Sequence, residues 1–134
     1  MSNTKATGVA YLDPEFSTCY ATEELGYASA AQGAVTQATS KSTGVTLNKS
    51  AGQITMNNAA LASVTNVAFT LTNSLISAND VMIVNVAGGA ATAGTYNVFT
   101  STLAAGSATI VLRNISGGSL SEAVVINYAI IHGA

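Results

Sequence analysis

The sequence predicts an all-β protein, an antiparallel β-sandwich that is jelly-roll-like in outline and is preceded by an irregular N-terminal arm. Three observations carry that expectation. From residue 34 onward apolar residues recur with period two, as in strands half-buried against one core. The runs are short, rich in β-branched Thr, Val and Ile, and spaced about 8 to 14 residues apart. Between them lie clusters of Gly, Ser, Asn and Asp, and no gap reads as a crossover helix, so a parallel α/β sheet is not expected.

The arm, residues 1 to 33, is interrupted by Gly8, Pro14, Gly26 and Gly33. It holds the acids Asp13, Glu15, Glu23 and Glu24 and the aromatics Tyr11, Phe16, Tyr20 and Tyr27. Only 17 to 24 has the residues for a short helix. In the body, residues 34 to 134, strands are expected at 34–39, 44–47, 52–56, 67–72, 81–86, 95–100, 108–113 and 123–131. The run 67–72 is typical: Val67, Phe69 and Leu71 share one face, and Ala68, Thr70 and Thr72 the other. The runs 81–86 and 123–131 are apolar on both faces and should be covered on both sides. Residues 57–62 (AsnAsnAlaAlaLeuAla) are the best place for a single helical turn.

Composition narrows the function classes. A chain of 134 residues suits one domain with a core that needs no metal or disulfide. Only 7% of its residues are charged, against about 25% in an ordinary soluble domain, while 49% are hydrophobic. The basic residues, Lys5, Lys41, Lys49 and Arg113, are too few and too scattered to neutralise phosphates, so no nucleic-acid partner is expected. No run approaches the roughly 20 apolar residues of a membrane span, and the N-terminus lacks a charged segment followed by an apolar one. A soluble, unprocessed chain without a membrane partner is the expectation. Cys19, the single cysteine, cannot form an internal bridge.

No catalytic constellation emerges. His132, the only histidine, sits at the C-terminal end, where a general base is poorly held. Cys19 has no neighbouring histidine, and the acid pairs of the arm lack the ligand ladder of a calcium loop. The glycine-rich stretch 88–94 lacks the Gly-Lys-Ser/Thr of a phosphate loop and reads as a hairpin. Asp80 and Glu122 are the only carboxylates of the body, and no Trp is present to line a sugar cleft between them. The glycosylation-type triplets at Asn48 and Asn114 are of a kind that chance supplies in a chain this rich in Ser, Thr and Asn. The expectation is a protein without enzymatic activity, cofactor or metal.

A charge-poor β protein exposes edges that natural sheets usually guard with Lys, Pro or bulges. Burial between identical copies would resolve this, with Val125, Tyr128, Ile130 and Ile131 as candidate subunit-interface residues. The segments 34–49, 52–62 (GlyGlnIleThrMetAsnAsnAlaAlaLeuAla), 69–74 (PheThrLeuThrAsnSer) and 113–127 (ArgAsnIleSerGlyGlySerLeuSerGluAlaValValIleAsn) together resemble small virion structural proteins of tailed bacteriophages. Those proteins decorate or cement the capsid exterior, and related modules occur in tail fibres. The resemblance covers about 34 to 131 and implies a β-rich homotrimer on the outside of the virion, partnered by the major capsid protein. A tail-fibre or receptor-binding module is the alternative. On this view Tyr11, Asp13, Glu15, Phe16, Tyr20, Glu23, Glu24 and Tyr27 are the candidate capsid contacts.

Overall fold

The computed structural model describes residues 16–133. After a single 3-10 turn at Ser29–Ala31 come eight strands: β1 Gln32–Thr36, β2 Val45–Thr46, β3 Ala51–Thr55, β4 Asn66–Thr72, β5 Val81–Gly88, β6 Tyr96–Ala104, β7 Ser107–Asn114 and β8 Val125–Ile131. Each overlaps one of the eight runs read from the sequence. They form two four-stranded sheets, ordered β1-β3-β8-β5 and β2-β4-β7-β6. The all-β sandwich is therefore the fold of this chain.

The alternation of each strand builds the core. Phe69 and Leu71 of β4, Ile110 and Leu112 of β7, Ile54 of β3 and Ile126 and Ile130 of β8 face one another between the sheets. Fully burying each such side chain stabilises the fold by about 1.5–3 kcal/mol before the entropy of ordering it is subtracted. Two glycines are required where chain meets chain. A Cβ on Gly52 would lie 2.7 Å from Leu47 Cδ2 and 3.0 Å from the Tyr128 ring. Gly89, at φ +79°, passes so close to the Ala123 carbonyl oxygen that a Cβ would stand 2.1 Å from it.

Pairing departs from expectation in one respect. Most neighbours are antiparallel, but β1 pairs with β3, and β2 with β4, in parallel. Parallel neighbours need a long crossover, and here an extended strand in the opposite sheet supplies it in place of a helix. The chain leaves β1, crosses the sandwich to form β2, and returns as β3.

The helical expectations are corrected. Residues 17–24 contain no helix, and 57–62 form an irregular connection. At Asn57 the side-chain Oδ1 accepts the Ala59 N–H at 2.8 Å, a local turn that competes with helix. Leu61 is then drawn into a backbone bridge with Leu120.

The same turn recurs at Asn73 and Asn114, whose Oδ1 atoms accept from Leu75 and Ser116. Both amides are wholly buried. Asn73 Nδ2 donates to the Lys49 carbonyl, and Asn114 Nδ2 to the carbonyls of Leu61, Ala62 and Gly118. The triplet at Asn114 is thus no open acceptor for a sugar. It ties three loops together.

Candidate functional site

From Phe16 to Ala30 every residue is exposed, so this part of the arm lies outside the core. Its sequence explains why: its apolar residues keep neither period two nor period 3.6, and no strand or helix can bury them together. Phe16, Tyr20 and Leu25 are largely exposed, and Glu23 and Glu24 are exposed between them. Of the candidate contacts, Tyr11, Asp13 and Glu15 lie outside the described residues. The arm is rooted at Tyr27, whose hydroxyl donates to the Ile130 carbonyl of β8 while its own carbonyl accepts from Gln32 Nε2 at 2.8 Å.

That root borders the outer face of the β8–β5 pair. Leu25, Gly26 and Tyr27 form one wall of a shallow apolar groove, and Ile83, Ala129, Ile131 and His132 form the other. The candidate subunit-interface residues divide here. Ile131 is exposed and Val125 half-buried on the outer side, whereas Tyr128 and Ile130 point into the core. Tyr128 and Ile130 are therefore corrected to core residues, because strand alternation sends 126, 128 and 130 inward together. The expected cover on both faces of 81–86 and 123–131 is likewise absent within one chain: Val81, Ile83 and Ile131 are exposed. Tyr128 instead donates its hydroxyl to the Lys49 carbonyl at 3.0 Å, and burial pushes its phenol up to about 12.

Two titratable clusters lie elsewhere. Asp80, just before β5, accepts from the Ser77 N–H and hydroxyl, both at 2.8 Å, and from the Gly133 N–H at 3.1 Å. His132 Nδ1 lies 3.1 Å from Asp80 Oδ2. The Ser77 N–H, more than any other contact, holds this carboxyl at about 2, against the opposing effect of burial. Ser77 and His132 both bond the carboxylate, which sits between them, so the hydroxyl is not arranged as a nucleophile activated by an imidazole. The cluster fastens the end of β8 to the turn before β5.

Asp80 therefore makes stability pH-dependent. Its folded value of about 2 lies below the ordinary 3.8, so its contribution is fully present above about pH 4 and is lost as pH falls through 2. Melting temperatures of the wild type and Asp80→Asn should converge between pH 4 and 2. Parallel pH profiles for the two would show that the carboxylate is not held as described.

At the other end of the sandwich, the Lys41 ammonium donates to the carbonyls of Asn57 and Glu122. Burial lowers its pKa and the Glu122 charge partly offsets this. Glu122 Oε1 accepts from the Ala91 N–H at 2.7 Å. Burial first, and then the Glu122 carboxylate, push the Tyr96 phenol up to about 12. Lys41 is only 3% exposed and acts as a clamp between loops, where a substrate has no access. Asp80 and Glu122 stand at opposite ends of β5, about 25 Å apart at the usual rise per residue, too far for a pair of glycosidase carboxylates.

Sequence reasoning missed Asn73, Asn114 and Lys41 as buried organisers. The available signal was Asn at the end of a β-branched run followed by Ser within two residues, a local-turn pattern. Among the described residues no group of three or more His, Cys, Asp or Glu side chains converges as a metal site, and Cys19 is exposed on the arm. No helix among them is long and apolar enough to cross a membrane. No protein family, curated protein or solved structure matches the chain.

Proposed function

We propose that this protein is a bacteriophage capsid decoration protein that binds the outer capsid surface as a homo-oligomer, a trimer by the sequence resemblance, and stabilises the head without catalysing a reaction. The observation that carries this reading is the arm: a segment with exposed aromatics and acids, rooted by Tyr27 on a rigid sandwich. Aromatic side chains are the usual anchors of protein interfaces, because they cover a large area at little entropic cost. Phe16 and Tyr20 fit that role, and Glu23 and Glu24 would meet basic groups of the major capsid protein. An oligomer presents several arms at once, so individually weak contacts add through effective concentration.

Cryo-microscopy of the phage particle that carries this chain tests the reading. Density for the sandwich on the outer surface of the head is the expected result. Density confined to the tail would overturn it in favour of the tail-fibre alternative.

A further inference from the structure

The arm does not account for the outer face of β5 and β8. Val81 is paired across the strands with Ile131, and Ile83 with Ala129, and Leu25 and Tyr27 stand beside them. Val81 is 59% exposed, Ile83 52%, Ile131 54% and Leu25 89%. The other large apolar residues exposed on the body are Phe99 on β6 of the other sheet and Val64, Leu75 and Ile115 in loops. β5 ends its sheet, and its free edge runs beside β6 of the other sheet, so its outward face is the part left open. Its register is regular from Val81 to Val86, the bulge comes only at Val86/Gly88, and it contains no proline and no charge. Asp80, the nearest acid, is turned onto Ser77 and Gly133 and places no charge on this face.

We infer that this face is covered by the equivalent faces of the neighbouring copies, so that Ile83, Val81 and Ile131 of all copies meet about the rotation axis of the oligomer. The inference rests on the self-association proposed above and names the surface that performs it. Together with Tyr27, the exposed side chains amount to on the order of 500 Å² of contiguous apolar surface, as large as a monomer ordinarily leaves open. Three such faces packed about one axis would bury on the order of 1,500 Å² in all, within the range of a specific interface. The outward side chains of β5 and β8 are uncharged, and their only polar members are Asn85 and Asn127. Apolar residues beside a rotation axis meet their own counterparts without repulsion. Glu23 and Glu24 precede Leu25 in the arm, are exposed, and do not line the groove on this face.

Sedimentation of the full chain at micromolar concentration tests this. Wild type should be an oligomer, and Ile83→Lys a folded protomer whose association is weakened about a hundredfold or more, because a buried ammonium without a partner is strongly disfavoured. In a Cys19→Ser background, Ile83→Cys should form an interchain disulfide under mild oxidation, and Val64→Cys should not. The cysteine pair decides the matter even if the lysine variant fails to fold. A wild-type protomer would overturn self-association itself. An oligomer that persists in Ile83→Lys, or that cross-links through position 64 and not 83, would overturn only the choice of surface.

Discussion

A chain lacking residues 1 to 24 should fold and associate normally yet fail to co-sediment with empty capsids. The cut falls before Leu25 and Tyr27, so the root on Ile130 and the apolar groove remain. What is lost includes Phe16, Tyr20, Glu23 and Glu24, all of them exposed and none of them part of the core. Truncating one aromatic anchor in a protein interface commonly costs 2 kcal/mol or more, so losing two should weaken binding by roughly a thousandfold for each arm. Titrating labelled protein against emptied heads measures this directly. Undiminished binding would remove the arm from the contact and move the capsid-facing surface to the sandwich.

Asn114→Ala is expected to be among the most destabilising single substitutions outside the apolar core. Its amide spans the carbonyls of Leu61, Ala62 and Gly118 and also receives the Ser116 N–H and hydroxyl. Alanine takes from the Ala62 carbonyl and the Ser116 N–H their partner at a side chain of zero solvent exposure, while the Leu61 and Gly118 carbonyls keep the Leu120 N–H and the Ser116 hydroxyl. At about 1–3 kcal/mol per unsatisfied group, a loss of about 3 kcal/mol or more follows, with a fall in Tm of about 10 °C. Asn66→Ala, on the exposed side of β4, should change the Tm by only a degree or two and serves as the control. Equal melting of the two variants would show that the buried amide does not hold the loops.

Strand positions were legible because alternation is a local property: Val67, Phe69 and Leu71 announce one face of β4 without reference to any other segment. The partner of each strand is not local. Nothing in 34–39 or 52–56 specifies that they pair in parallel through a strand of the opposite sheet. Sidedness was misread in 123–131 because apolar residues occupy both phases there, so period two carries no contrast. The contrast lay in the asparagines: Asn127 faces outward in β8 and Asn85 in β5, which sends Tyr128 and Ile130 inward and leaves Ile131, Val81 and Ile83 outside. That the arm forms no long helix was readable from its irregular pattern, but whether its aromatics pack back on the body or stand exposed was not. Nor was its root, because a tyrosine hydroxyl can reach any free carbonyl.

The place of β8 in its sheet sets the order in which the protein can be made. It is the last strand in sequence, yet it lies between β3 and β5 and is hydrogen-bonded to both. On the ribosome, β3 and β5 emerge first and must wait, each with an open edge, until Ile131 has cleared the exit tunnel. Until β8 is out, that layer cannot close, and its two unsatisfied ladders are open to neighbouring nascent chains on the polysome.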